Sequence, residues 1–171
     1  MSSIDPREFR NALGSFATGV TVVTTAESGE NGDLRPIAVT ANSFSSVSLD
    51  PALVLWSIDK SAGSFAAFQA CDAFAIHILH DGQRDLSQRC ASSKGEKLRE
   101  GEWQFGELNI PLVTECKTRF ECLVEHRYEG GDHIIMVGRV INFERCDNQG
   151  SEPALLYYQG QYEQLQSSTA V

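Results

Sequence analysis

The chain has 171 residues, a formal net charge of −9, 42% hydrophobic residues and 22% charged residues. This length supports one domain with its own core, and the composition is that of a globular rather than a disordered protein. The acidic balance argues against a nucleic-acid partner, because phosphates bind to a positive field. No apolar run approaches the roughly 20 residues that span a bilayer, and the N-terminus lacks a signal-peptide pattern. We therefore expect one cytoplasmic domain over residues 1–171, without a membrane partner and with a polar tail at 166–171.

The first predicted element is a helix that begins near Asp5, which can cap it, with Pro6 at the first helical position. One apolar stripe follows at spacings of four and three residues, formed by Phe9, Leu13 and Phe16. β-Branched and alternating residues then predict several strands. The predicted elements are a strand over 20–25, a hairpin loop over 27–33, a strand over 37–41, a strand over 51–58 that is buried on both sides, and a short helix over 61–70 capped by Ser61.

The second half of the chain continues this β-rich pattern. The predicted elements are a strand over 73–79, one or two surface helices over 82–98, strands over 118–128 and 133–144 joined by a hairpin turn at 129–132, and a last strand over 155–165. About six or seven strands with few helices between them favour an antiparallel barrel over a parallel sheet.

Several common chemistries lack their sequence motifs. We find no GxGxxG, Walker, HExxH or GxSxG pattern, although a serine or cysteine nucleophile stays open. The four histidines do not cluster, which argues against a metal site; they are His77, His80, His126 and His133. The five cysteines include no CxxC pair, so we expect small, partly buried thiols in a reducing compartment. They are Cys71, Cys90, Cys116, Cys122 and Cys146.

Polar side chains concentrate in the stretch from Leu34 to Phe65. Hydroxyls and an amide directly follow an alternating strand, at Thr40, Asn42, Ser43, Ser45, Ser46 and Ser48. A second hydroxyl-rich turn at 57–61 leads into a predicted helix N-terminus, which favours anions, and Lys60 adds a positive charge. Two such turns can hold a flat polar ring with a phosphate tail. The same residue types are also ordinary in turns, so the residues alone leave both interpretations open.

This stretch resembles the flavin-binding segment of the short-chain flavin reductases, the reductase components of two-component flavin-dependent monooxygenases. The shared pattern is T-A-N-S-F-S-S-V-S followed by a proline and L-V-L, at Thr40–Leu55. Further motifs follow in the family's order along nearly the whole chain. They are F-R-x-x-L-G-x-F-A-T-G-V-T-V-V-T-T at Phe9–Thr25, F-A-I-H-I-L at Phe74–Leu79 (close to the family's F-x-V-N-V-L), G-D-H-I-I at Gly131–Ile135 and L-L-Y-Y-x-G-x-Y at Leu155–Tyr162.

The resemblance implies a mainly β fold, the antiparallel FMN-binding split β-barrel with a few peripheral helices, and usually a homodimer with the flavin near the subunit interface. It implies an NAD(P)H:flavin oxidoreductase that transfers a hydride from NADH or NADPH to FMN or FAD and supplies reduced flavin to a partner monooxygenase. Carried over position by position, the flavin contacts come from Pro36, Ile37, Ala38, Val39, Thr40, Asn42, Ser43, Ser57, Ile58, Asp59, Lys60 and Ser64.

Three further positions match the family outside that stretch. Arg89 matches a position near the phosphate, while Asp132 and His133 match the G-D-H motif on the nicotinamide side. His133 is the candidate for positioning the nicotinamide, and the alternative is a hairpin histidine packed against the barrel. The family commonly has Phe after the arginine, and Asp-Lys-Phe or Asp-Arg-Phe a little later. Here those positions hold Cys90 and Glu96-Lys97-Leu98, which leaves FMN against FAD open.

The absence of an obvious catalytic dyad agrees with flavin reduction, because the cofactors carry the chemistry and the protein supplies orientation. One alternative is a flavin-binding electron carrier or sensor without turnover of NAD(P)H. Another is a split-barrel oxidase acting on a pyridoxine-like substrate. It needs extra basic residues for a substrate phosphate, and Gly131-Asp132-His133 argues against it.

Overall fold

The computed structural model describes residues 4–145 and 152–165, so the predicted tail at 166–171 and Cys146 lie outside the described residues. The helices are α1 (Pro6–Leu13), α2 (Phe65–Ala70) and α3 (Arg84–Ala91), with a 3-10 turn at Asp81–Gln83. The described strands are β1 (Thr18–Gly19), β2 (Thr21–Ser28), β3 (Leu34–Ala41), β4 (Ser45–Leu49), β5 (Ala52–Asp59), β6 (Ala73–Ile78), β7 (Trp103–Phe105), β8 (Pro111–Val113), β9 (Thr118–Gly130), β10 (His133–Arg145), β11 (Leu155–Tyr158) and β12 (Gln161–Gln164).

The main sheet has seven antiparallel strands in the order β3-β2-β6-β9-β10-β5-β4. The mainly β, antiparallel architecture with few helices is therefore confirmed. Within the described residues no ladder joins the edge strands β3 and β4, so the hydrogen bonding does not close a barrel. Two small sheets, β1-β11-β12 and β7-β8, complete the fold.

The main core lies against one face of this sheet, around the fully buried Trp56 on β5. The rings of Phe68 and Phe74 meet the indole edge-on, with centroids 4.9 and 5.9 Å away. Each fully buried aromatic side chain contributes about 1.5–3 kcal/mol through the hydrophobic effect. The same cluster takes residues from β2, β3, β5, β6, β9 and β10, which fixes the strand ends relative to one another.

β5 covers the core with one face only. Val54, Trp56 and Ile58 are buried, whereas Leu53 and Leu55, which alternate with them, are half-buried. The prediction of burial on both sides is wrong, because an antiparallel strand of this sheet has one face on the core and the other outside it.

The two internal helices are shorter than predicted. α2 begins at Phe65 rather than near Ser61, because the Asp59 carboxylate accepts hydrogen bonds from both the backbone N–H and the hydroxyl of Ser61, each 2.7 Å long. Such a side-chain turn competes with helix formation. α3 ends at Ala91, and residues 92–98 form a loop instead of a second helix.

The ends of the chain also differ from the sequence pattern. The predicted strand over 155–165 is a hairpin of β11 and β12, because Gln159 and Gly160 adopt left-handed φ values of 48° and 79°. α1 is confirmed, with Asp5 accepting from the first backbone N–H groups. Phe16 lies beyond its end, so the three-residue helical stripe is wrong.

No described helix is long and apolar enough to cross a membrane.

Candidate flavin-binding cleft

Two adjoining cavities form one cleft beside β3. The loop cavity, about 540 Å³, lies under the loop that follows α3. The hairpin cavity, about 450 Å³, lies under the tip of the β9–β10 hairpin. They share Val39 and Ala62, and each volume is within the roughly 300–1,000 Å³ of small-molecule sites.

Most predicted site residues line this cleft. The loop cavity includes Pro36, Ile37, Ala38, Val39 and Ser64. The hairpin cavity includes Val39, Thr40, Asn42, Ser43, Ser57, Ile58, Asp59 and His133. Lys60 and Asp132 flank the hairpin tip without lining either cavity, and Arg89 lines a separate cavity of about 250 Å³.

The two polar segments of the sequence meet at the hairpin cavity, where Ser43 follows β3 and Ser57, predicted to begin a turn, lies within β5. The backbone N–H of Ser57 donates to Ser43 Oγ at 2.9 Å, and the Ser43 hydroxyl donates to the Ser57 carbonyl at 3.3 Å. Thr40 Oγ1 donates to the Ser87 carbonyl at 2.6 Å, which joins β3 to α3. The hydroxyls of Thr40 and Ser43 therefore build the wall of the cleft, and the exposed Asn42 also lines the hairpin cavity.

Lys60 ties β5 to the hairpin tip. Its Nζ donates to the Gly131 carbonyl at 2.8 Å and pairs with the Glu129 carboxylate, and its backbone N–H donates to the Asp132 carbonyl at 3.0 Å. The positive charge predicted for this turn is thus already paired with an acidic group. Lys60 fixes the position of the hairpin that carries His133.

His133 is oriented by its neighbour in the chain. Its Nδ1 lies 2.7 Å from an Asp132 carboxylate oxygen, so Nδ1 carries the proton and donates. The hydrogen bond from His133 holds the pKa of the Asp132 carboxyl below its usual range. Nε2 of the neutral ring is then left as an acceptor. His133 lines the hairpin cavity and pairs in register with Asp59, whose carboxyl pKa is lowered by the hydrogen bonds from Ser61.

Arg89 has three partners of its own. Its guanidinium donates to Asp85 at 2.9 Å, to Glu102 at 2.6 Å and to the Lys97 carbonyl at 2.6 Å. The structure does not bring it into the cleft with the other predicted residues. It holds the loop after α3 in place by binding the Lys97 carbonyl.

Sequence reasoning assigned no role to Lys97 and to several small residues of the loop cavity. The half-buried Lys97 side chain crosses to β3, where Nζ donates to the Ala38 carbonyl at 2.9 Å, and burial lowers the pKa of its ammonium group. The small residues are Ala62, Gly63, Ser92 and Ser93. The available signal for Lys97 was its place in Glu96-Lys97-Leu98, where the family pattern also has a basic residue.

The cleft of this antiparallel β domain combines apolar strand residues with hydroxyls from two polar segments, a composition compatible with a planar ligand that has a polar tail. Residues 13–166 match the model of the flavin reductase like domain. The chain belongs to this family.

Similar proteins span different lengths. The chain is 45% identical over 141 residues to an FMN reductase (NADH) of Agrobacterium fabrum, covering 82% of this chain and 78% of that protein. It is 41% identical over 156 residues to the reductase component of a flavin-dependent trigonelline monooxygenase of Acinetobacter baylyi, covering 91% of this chain and 48% of that protein. The chain thus spans about half the length of some relatives it matches, at 46% and 48%.

A solved structure shares the fold of this chain. It is an NADH:FAD oxidoreductase of Streptomyces globisporus in complex with NAD and FAD fragments, with a TM-score of 0.86 and 32% identity. The alignment covers 99% of this chain and 100% of that chain.

Proposed function

We propose that the protein is an NAD(P)H:flavin oxidoreductase that transfers a hydride from NADH or NADPH to FMN or FAD. One observation carries this proposal: the two polar turns meet in a cleft that also contains an oriented histidine. The names of the FMN reductase (NADH) and of the NADH:FAD oxidoreductase support NADH as a donor. The name of the trigonelline monooxygenase component supports supply of reduced flavin to a partner monooxygenase.

The cleft fits a flavin in two respects. Val39, Ala62 and the neighbouring strands give it apolar walls, and the Ser64 hydroxyl is buried there without a protein partner in the described structure. We assign flavin contacts to Pro36, Ile37, Ala38, Val39, Thr40, Asn42, Ser43, Ser57, Ile58, Asp59 and Ser64. We assign to Lys60 and Arg89 the positioning of the hairpin and of the loop after α3.

When bound, the flavin and the nicotinamide nucleotide supply the hydride chemistry themselves. The residues of the chain orient the two ring systems and exclude water. Ser43 and Ser57 hold β3 and β5 at a fixed distance, which sets the width of the hairpin cavity. His133, with Nδ1 bound to Asp132, presents Nε2 as an acceptor for an amide N–H of the nicotinamide.

We further infer the split β-barrel, a homodimer and a cytoplasmic location. Strands from both halves of the open sheet contribute to one core cluster, which supports a sheet curled upon itself. Large apolar side chains remain exposed on the single chain, and burying them in a dimer interface lowers the free energy. Examples are Leu13, Phe16, Leu49, Ile141 and Phe143.

The direct test is to mix the protein with NADH and excess FMN and follow the nicotinamide absorbance. We expect steady consumption of NADH that exceeds the protein concentration many times over. A protein that binds flavin but consumes no more than one equivalent of NADH is the electron carrier or sensor instead. A protein that binds neither FMN nor FAD is not a flavin reductase.

Replacing His133 with Ala is expected to raise the KM for NADH roughly two- to tenfold, the equivalent of one hydrogen bond. Flavin affinity is expected to stay the same, because His133 belongs to the hairpin rather than to the polar turns. The Asp132→Asn variant is the control for orientation alone and is expected to have the smaller effect. Normal nicotinamide kinetics with weakened flavin binding would place His133 on the flavin side. A lower melting temperature with both affinities intact would make it a packed hairpin histidine.

A further inference from the structure

The C-terminal hairpin of β11 and β12 has no part in the function proposed above, although it is anchored in the core beside α3. β11 pairs with β1, and the fully buried Leu155 belongs to a second core cluster with residues of β2, β3 and α3. Tyr162 on β12 packs half-buried against this cluster. Its ring meets that of Tyr157 edge-on, with centroids 5.7 Å apart. The position of Tyr162 relative to α3 is therefore fixed by packing.

Two hydrogen bonds connect this hairpin to the wall of the cleft. The Tyr162 hydroxyl lies 2.7 Å from Ser87 Oγ on α3, and either oxygen can donate. The carbonyl of Ser87 accepts a hydrogen bond from Thr40 Oγ1 at 2.6 Å. Ser87 is fully buried, where a hydrogen bond is stronger than in water. Tyr162 is thus two hydrogen bonds away from a residue that lines the hairpin cavity.

Thr40 borders two cavities. It lines the hairpin cavity and also a smaller cavity of about 240 Å³, which we call the rear cavity. The rear cavity is lined by Val20, Thr40, Asn42, Ala91, Tyr157 and Tyr162. Close packing normally holds a side chain in a protein interior, and a neighbouring void removes part of these contacts. The hydrogen bond to Ser87 therefore fixes Thr40 at a point where packing is incomplete.

We propose that Tyr162 is a positioning residue for flavin binding, which acts through Ser87 on Thr40. This role rests on the proposed flavin reductase function. Tyr162 lines neither the hairpin cavity nor the loop cavity, so it acts on a flavin in the cleft only through other residues. It holds α3 against the end of β3 before the ligand binds, so binding does not have to supply the free energy of that alignment. Without the hydroxyl the binding-competent arrangement is less populated, which raises the apparent Kd by the same factor.

The first test is Tyr162→Phe, which removes the hydroxyl and keeps the ring in the core cluster. We expect the Kd for FMN, measured by flavin fluorescence, and the KM for FMN to rise roughly two- to tenfold, the equivalent of one hydrogen bond. Saturating FMN restores the competent arrangement, so kcat is expected to stay within about twofold of the parent. The KM for NADH is expected to stay the same, because the proposed nicotinamide contact belongs to the β9–β10 hairpin.

The matched control is Tyr157→Phe. Tyr157 pairs in register with Tyr162 and lines the same rear cavity, but its hydroxyl takes no part in the hydrogen-bond path to Thr40. This variant is expected to behave as the parent in the Kd and the KM for FMN.

Two double variants test the path itself. Ser87→Ala breaks the first hydrogen bond from the other side, so adding it to Tyr162→Phe is expected to raise the Kd no further than either change alone. Thr40→Val keeps the branched shape of the side chain and breaks the second hydrogen bond. In that background Tyr162→Phe is expected to change the Kd by less than about twofold.

Three results from an active parent would contradict this role. A lower melting temperature of Tyr162→Phe, with unchanged Kd and KM for FMN, would make Tyr162 a packing residue. A rise in the KM for NADH alone would place Tyr162 at the nicotinamide nucleotide. Double variants whose losses simply multiply would show that Tyr162 acts independently of Ser87 and Thr40. A parent chain that binds no flavin and consumes no NADH in the presence of FMN would instead refute the proposed function itself.

Discussion

Acidification from pH 7 to pH 4 is expected to lower the free energy of unfolding by about 3 kcal/mol through His77 alone. His77 lies on β6 and is fully buried, and burial lowers its pKa from 6.5 to about 4. Val22 and Val113 each contribute one backbone partner to the ring. The Val113 N–H donates to Nε2 at 3.1 Å, so Nε2 is unprotonated, and Nδ1–H donates to the Val22 carbonyl at 3.0 Å.

Protonation of His77 brings an Nε2–H against the Val113 N–H, two donors in contact without water. The unfolded chain binds this proton at pH 6.5 and the folded chain only near pH 4. The unfolded state therefore holds more protons in this window, and stability falls as the pH drops through it. Well above pH 6.5 His77 is neutral in both the folded and the unfolded state, and it then causes no loss of stability.

Urea unfolding at pH 7 and at pH 5 measures this effect. We expect His77 to lower the free energy of unfolding by about 2 kcal/mol over that interval. The matched variant is His77→Gln, whose amide can also accept one hydrogen bond and donate another but does not titrate. The carboxylates titrate in both proteins. The difference between parent and variant in how steeply the free energy of unfolding changes with pH therefore isolates His77. Identical pH dependence of the two proteins would show that His77 is not the group responsible.

The sequence predicted the long hairpin and the two polar turns because their signals are local. Gly130 and Gly131 stand between two alternating strands, and Gly131 indeed has a positive φ of 75°. The hydroxyls after β3 and after β5 mark turns wherever they occur. That the turn after β3 meets β5 through Ser43 and Ser57 depends on the packing of the folded chain, which spacing along the sequence does not contain.

The arrangement of positive charges could not be predicted, since it depends on contacts distant in sequence. Arg89 is held away from the cleft partly by Glu102, which belongs to the segment before β7. Lys97 reaches Ala38 only because the loop after α3 crosses β3. β4 was missed for the same reason. Its serine-rich sequence has little strand preference of its own and becomes a strand by pairing with β5.

Replacing Gly138 with Ala is expected to destabilise the protein by about 3 kcal/mol, at the upper end of the usual cost of overpacking. Gly138 lies at an irregularity in the pairing of β9 with β10. A Cβ at this position meets Phe74 Cζ at 2.5 Å and Cys122 Cβ at 2.9 Å. Phe74 and Cys122 are both fully buried, and Phe74 packs edge-on against Trp56, so neither can withdraw without disturbing the core.

Two further variants separate crowding from a general loss of strand stability. Gly19→Ala is the control, because nothing lies within 4 Å of its added Cβ, and a change within about 0.5 kcal/mol is expected. Phe74→Leu removes the ring atom nearest to the new methyl group, so the double variant with Gly138→Ala should lose less stability than the sum of the two single changes. Equal effects of alanine at Gly138 and Gly19, or strict additivity in the double variant, would contradict this account. Since β10 also carries His133, the crowded variant is expected to show a higher KM for NADH, and relief of the crowding by Phe74→Leu should lower it again.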